Sequence, residues 1–73
     1  MSKKDAKRIL DITEYRDYKV TKIYENGFKA VRTNERCKTE LYCEILADDV
    51  NKIDKDNFYY NVSIAVMVVE RYK

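Results

Sequence analysis

Residues 18–33 read YKVTKIYENGFKAVRT, two runs rich in β-branched and aromatic residues on either side of Asn26-Gly27. Asn-Gly is a preferred centre of a two-residue type I′ turn, because both positions need φ > 0 and these two residues tolerate it best. The dipeptide therefore predicts a β-hairpin. The two-residue loop also predicts a register in which these pairs face each other: Glu25 and Phe28, Tyr24 and Lys29, Ile23 and Ala30, Lys22 and Val31, Thr21 and Arg32.

The predicted register assigns each side chain of the hairpin to one of two faces. Ile23, Phe28 and Ala30 share the first face. The second face is mixed and partly aromatic, and it carries Tyr18, Val20, Lys22, Tyr24, Lys29 and Val31. We expect the first face to pack on a helix and the second to meet a partner.

The N-terminal segment has the spacing of an amphipathic helix from about Lys3 to Glu14. The positions that recur at helical spacing are Ala6, Ile9, Leu10 and either Ile12 or Thr13. Ser2 followed three residues later by Asp5 resembles a capping box with Asp in place of Glu, which predicts the first turn of the helix.

The second half of the chain predicts two further strands. Asn34 to Lys38 is polar and predicts a turn, and residues 40–53 fit either a strand to about Leu46 followed by a helical turn over 48–53, or a single helix. From Phe58 to Val69 apolar residues alternate as in a long strand, which from Ala65 onward is apolar on both faces. We expect this strand to be central or to be covered by a partner.

These elements predict one α+β domain over residues 1–73, with an N-terminal helix packed on a three- to four-stranded antiparallel sheet in the order α-β-β-β-(short α)-β. Residues 20–31, VTKIYENGFKAV, follow an N-terminal helix and resemble the first hairpin of Sm and Hfq-type RNA-binding proteins. The resemblance covers about a dozen residues, and the second block of that family is not recognisable. It implies a small SH3-like or Sm-like barrel as the alternative fold, and it carries over no site residues.

The composition argues against catalysis and against a bound cofactor. The chain has no histidine, which removes the commonest general base and metal ligand. Cys37 and Cys43 alone cannot form a four-ligand zinc site, and residues 54–57 have only a fragment of a calcium loop. Gly27 is the only glycine, so no glycine-rich phosphate loop is possible. We expect no enzyme, no cofactor, no metal and no small-molecule substrate.

Charge and hydropathy bear on location and partners. Residues 19–39 hold six basic and two acidic side chains, while residues 40–57 hold six acidic and two basic. If the fold separates these segments, one face is basic and the other acidic, which favours charged partners or self-association; the alternative is two solvated faces without a function. No apolar run approaches the roughly 20 residues that span a bilayer, and no signal peptide is recognisable. We expect a cytoplasmic protein that does not insert into a membrane.

The leading hypothesis is a small non-enzymatic binding protein. It is the kind of chain that phages and other mobile elements encode to block a host protein or defence complex, in the style of anti-CRISPR proteins, and it would act in the host cytoplasm. Its partner would be a protein, which could be a second copy of the chain. The alternative is a nucleic-acid-binding module that uses the lysines and tyrosines of the 18–33 hairpin. The candidate binding residues are Tyr18, Lys22, Tyr24, Lys29, Arg32, Arg36, Tyr59 and Met67.

Overall fold

The computed structural model describes residues 1–71, and the side chains of residues 1–68. The elements follow in the order α1 (Lys3–Ile12), β1 (Lys19–Tyr24), β2 (Gly27–Thr33), β3 (Cys37–Ile45), a 3₁₀ turn (Val50–Lys52), α2 (Phe58–Asn61) and β4 (Val62–Arg71). The predicted α+β class and order of elements are confirmed, with the addition of α2.

The four strands form one antiparallel sheet in the order β1-β2-β3-β4. The sheet is open, with β1 and β4 at its two edges, so the alternative barrel does not form. The core lies between α1 and one face of the sheet, and its largest completely buried side chains are Phe28, Ile9, Leu41 and Ile53. We call the other side of the sheet the open face.

The first helix begins at its predicted cap. The Ser2 hydroxyl accepts a hydrogen bond from the Asp5 N–H at 3.1 Å, which satisfies one of the free donors of the first turn. The helix ends at Ile12, two residues before the predicted Glu14, whose φ of 70° is left-handed. Arg8 is half-buried and donates to the carbonyls of Val50 and Ile53, so it ties the loop before β4 to the helix.

The predicted hairpin forms, but the predicted turn and register are wrong. Tyr24 pairs with Gly27 and Ile23 pairs with Phe28, so the loop residues are Glu25 and Asn26. Gly27 lies within β2 and does not have a positive φ. Its lack of a side chain is needed for another reason: a Cβ there would lie 2.1 Å from the Cys43 carbonyl oxygen on β3.

Two residues of the hairpin segment, Tyr18 and Val20, lie on a different face from the predicted one. A shift of two positions keeps the side-chain faces, so Phe28 and Ala30 are buried on the helix side as predicted. The register also slips between Val20 and Lys22, at Thr21. This irregularity turns Val20 to the helix side, and Tyr18 just before the strand is buried in the core, whereas both were predicted on the opposite face.

The predicted strand from Phe58 begins late, because residues 58–61 form the single turn of α2. A polar network holds this turn. The Asp54 carboxylate accepts from the N–H groups of Asp56 and Asn57 at 2.9 and 3.1 Å, and the Asn61 amide donates to the Asn57 carbonyl at 3.0 Å. The strand to about Leu46 and the helical turn after it are confirmed as β3 and the 3₁₀ turn.

Gly27→Ala is expected to destabilise the fold by roughly 2–3 kcal/mol, because the new methyl group would collide with backbone that cannot move without breaking the β2–β3 ladder. Urea unfolding measures the change. Asn26→Ala is the matched control in the exposed loop and should cost less than about 1 kcal/mol. Equal costs for the two variants would contradict the close approach at Gly27.

Candidate interaction surface

The structure does not gather the eight predicted binding residues on one surface. Lys22, Tyr24, Lys29 and Met67 lie on the open face, as the strand pairings require. The other four lie elsewhere: Tyr18 in the core, Arg32 on the helix side of β2, Arg36 in the turn before β3, and Tyr59 in α2. The hairpin therefore presents a smaller basic face than its sequence suggested.

Lys29 is engaged by an acidic neighbour on the open face. Its Nζ lies 2.8 Å from Glu40 Oε1, and the Tyr42 hydroxyl donates to the other carboxylate oxygen. The hydrogen bonds from Lys29 and Tyr42 hold the pKa of Glu40 below its ordinary value, and the bond to Glu40 raises the pKa of Lys29. Because Glu40 is itself buried, this pair neutralises a lysine that would otherwise be offered to a phosphate.

Lys22 and Tyr24 form an exposed cation–aromatic pair at the β1 end of the open face. The Lys22 ammonium lies 5.3 Å from the centroid of the Tyr24 ring. Beside them a shallow depression of about 430 Å³ reaches from Tyr24 across Gly27 to Tyr42 and Ala65. Gly27 and Ala65, which have little or no side chain, form the floor of the depression. Tyr24 and Tyr42 flank it and are 42% and 37% exposed.

Tyr18 and Arg32, both predicted as binding residues, interact with each other away from the open face. The Arg32 guanidinium lies 5.2 Å from the centroid of the Tyr18 ring and 3.2 Å from the Asp17 carboxylate. Burial raises the pKa of Tyr18. The Arg32 guanidinium therefore interacts with groups of its own chain and lies against a buried ring.

The free edge of β4 carries the largest run of exposed apolar side chains. Val66, Met67 and Val68 are 47%, 57% and 59% exposed. Val66 and Val68 are on the helix side but outside the core, to which Val62 and Ile64 belong among the β4 side chains that the structure describes. Met67 is on the open face, opposite Glu40. Both faces of this strand are thus apolar and exposed over residues 66–68.

The two edges of the sheet differ in their protection against further strand pairing. Edge strands usually carry charges or irregularities that block pairing with another chain. The β1 edge has both, since Lys19 and Lys22 are exposed and the strand is irregular at Thr21. From Val62 to Val68 the β4 edge reads VSIAVMV, with no charged residue, proline or glycine.

Sequence reasoning named Met67 but missed Val66 and Val68. The signal was present, because residues 65–69 are apolar at consecutive positions. That pattern favoured a central strand or a covered one, and the structure places the strand at the edge. Position in the sheet depends on the whole topology, which alternation within one strand does not encode.

Tyr59 and Tyr60 extend the exposed aromatic surface just before β4. They are 87% and 83% exposed, and the ring of Tyr59 meets Phe58 edge-on with centroids 5.3 Å apart. Tyr59 also borders a small depression that contains Ile12 and Lys55. These tyrosines lie in α2, so they are adjacent in sequence to the free edge.

The part of the chain that the structure describes contains no cluster of three or more His, Cys, Asp or Glu suited to a metal ion. Cys37 and Cys43 are free thiols, and burial raises the pKa of Cys43 to about 12. Over the same residues, none of the helices has the length and apolarity needed to cross a membrane.

No protein-family model, curated protein or solved structure matches the chain.

Glu40→Gln is expected to weaken the acid dependence of stability. Because folding lowers the pKa of Glu40 from its ordinary 4.5, the stability it contributes is present above that pH and is lost as the pH falls through the folded value. Urea unfolding from about pH 7 to pH 3 should show a smaller decline in the variant than in the wild type. Glu44→Gln, exposed on the same strand, is the control and should retain the wild-type decline.

Proposed function

We propose that this chain is a small non-enzymatic binding protein that recognises a protein partner by adding a strand to the free edge of β4. The observation that carries the proposal is the apolar, uncharged edge from Val62 to Val68, exposed on both faces at its outer half. In strand addition, backbone hydrogen bonds supply affinity and alternate side chains supply specificity. Val66 and Val68 would contact the partner on one face and Met67 on the other.

The role proposed for such a protein is to occupy its partner rather than to transform a substrate. The chain has no histidine, the commonest general base, and the depression on the open face is shallow. An inhibitor that blocks a host protein or defence complex, as mobile elements encode, needs a binding surface and nothing more. The β4 edge with Tyr59 and Tyr60 beside it supplies one of suitable composition.

A second candidate function, binding of single-stranded nucleic acid, is supported by the Lys22–Tyr24 pair beside the depression at Gly27. Exposed aromatic rings with neighbouring cations are suited to stacking bases and contacting phosphates. The pairing of Lys29 with Glu40 and of Arg32 with Asp17 reduces the positive charge available. This candidate therefore ranks second.

Val66→Lys is expected to abolish capture of the protein partner while preserving the fold, because a lysine at an edge strand blocks pairing. The measurement is affinity capture by the tagged protein from an extract of the cells that encode it, with circular dichroism to verify folding. Leu46→Lys is the matched control, since Leu46 is an exposed aliphatic residue away from the free edge, 57% exposed. Undiminished capture by Val66→Lys would contradict the proposal.

For the second candidate, Tyr24→Ala should weaken oligonucleotide binding by about 1–3 kcal/mol, the usual contribution of a stacked base. Lys22→Ala should reduce the slope of log affinity against log salt concentration by about 0.7, corresponding to one phosphate contact. Fluorescence anisotropy with labelled single strands measures both. If the wild type shows no binding at about 50 mM salt, nucleic-acid binding is rejected.

A further inference from the structure

We infer that two copies of this chain pair through β4 in antiparallel fashion, forming a continuous eight-stranded sheet about a two-fold axis at Val66. The inference rests on the proposed function, because it uses the same free edge, and it names the partner as a second copy. It is carried by the direction of the backbone groups along β4 and by the symmetry of its side chains.

The hydrogen bonds of the sheet decide which residues of β4 present their backbone to the free edge. The Leu46 N–H donates to the Asn61 carbonyl oxygen at 2.7 Å, so Asn61 directs its backbone groups toward β3. Residues of an antiparallel pair alternate in this respect. Ser63, Ala65 and Met67 therefore also face β3, whereas Ile64, Val66 and Val68 direct their N–H and C=O groups outward.

The series of residues with free outward-facing backbone groups is limited at both ends. The Val62 N–H is already used, because it donates to the Phe58 carbonyl at the end of α2. Beyond Val68 the pairing with β3 slips, since Thr39 pairs with Val68 and Lys38 with Glu70. The regular free edge in the described chain is thus three residues with complete pairs of backbone groups, and Val66 is the middle one.

A two-fold axis at Val66 pairs all three residues with those of a second copy. Val66 would face Val66 of the other copy, and Ile64 would face Val68 in both directions. This register makes six backbone hydrogen bonds and leaves none of the groups of these three residues unpaired. An axis at Ala65 would instead place Val68 opposite Val62, whose N–H is already engaged.

The side chains of this register match as well as the backbone. On the helix side every central pair joins two β-branched residues, Val66 with Val66 and Ile64 with Val68, which are favourable cross-strand partners. On the open face the small Ala65 lies opposite the large Met67, again in both directions. No like charges face each other between residues 62 and 68, so the segment is complementary to itself.

Antiparallel pairing about an axis normal to the sheet places both α1 helices on the same side. The exposed Val66 and Val68 of the two copies then form one apolar strip between the helices. An isologous interface of this kind closes at two subunits, and it engages both β4 edges so that only the lysine-bearing β1 edges remain. The arrangement explains why one edge is protected and the other is not.

The test combines sedimentation with hydrogen exchange on the full chain. At about 200 µM, wild type should sediment as a dimer, and the amides of Ile64 and Val68 should exchange at least about tenfold more slowly than in Val66→Pro. Proline at an edge position whose N–H faces solvent is compatible with the strand but removes a donor from the interface. Met67 should be protected in both proteins, because its amide faces β3.

A second pair of variants gives a direct geometric readout. Val66→Cys in a Cys37→Ser background should form a disulfide dimer under oxidised glutathione, since paired Cα atoms about 5.5 Å apart lie within the range that a disulfide spans. Leu46→Cys in the same background should remain reduced. A disulfide dimer from Leu46→Cys alone would overturn the proposed register.

The outcomes separate this inference from the proposed function. A wild-type monomer at about 200 µM, with Ile64 and Val68 amides exchanging as fast as in Val66→Pro, would overturn the dimer. If that monomer still captures a protein in a manner that Val66→Lys abolishes, the proposed function stands with a different partner. A monomer that captures nothing overturns both, and a dimer insensitive to Val66→Pro overturns β4 pairing.

Discussion

The structure depends on one small core that covers part of one face of the sheet. Every element contributes to it, with Ile9, Phe28, Leu41 and Ile53 completely buried. Its extent is limited by the ten residues of α1, a length of ~15 Å, against the ten of β4, a length of ~33 Å. A helix of this length is too short to cover the whole of β4. Among the described residues, no helix covers Val66 or Val68, and both are exposed.

Charged side chains on both faces of the sheet are paired within the chain. Glu40 is buried between Lys29 and Tyr42, and Asp17 holds Arg32 against the ring of Tyr18. Two of the cations in the basic segment 19–39 are thereby neutralised locally, so a concentration of positive charge in the sequence does not become an equally positive surface. Lys22 remains exposed beside Tyr24. This is why the apolar edge, and not the basic hairpin, is the stronger basis for a function.

Local signals in the sequence predicted local structure well and long-range structure poorly. The Ser2 cap and the polar turn after β2 are decided by neighbours a few residues away. The cap forms as expected, and the turn is shorter than the predicted Asn34 to Lys38, because β3 begins at Cys37. The role of Gly27 is decided by the Cys43 carbonyl on another strand, which the Asn26-Gly27 signal cannot reveal. The burial of Tyr18 follows from an irregularity at Thr21, and the turn over 58–61 from side-chain hydrogen bonds of Asp54 and Asn61. The error at Gly27 arises from a contact distant in sequence, whereas the error at 58–61 arises from local side-chain hydrogen bonds that the alternation of apolar residues does not reveal.

Because β4 lies at an edge of the sheet, its consecutive apolar residues need a different explanation from those of a central strand. In a central strand, consecutive apolar residues such as Val66, Met67 and Val68 would need no explanation beyond the core. At an edge they expose apolar surface together with unpaired backbone groups, a combination that favours uncontrolled association. The chain carries Lys19 and Lys22 at the β1 edge, whereas the β4 edge has no charged residue from Val62 to Val68. Pairing with another strand would satisfy the backbone groups of such an edge and cover its apolar residues, and the symmetry about Val66 makes a second copy of β4 a strand that fits.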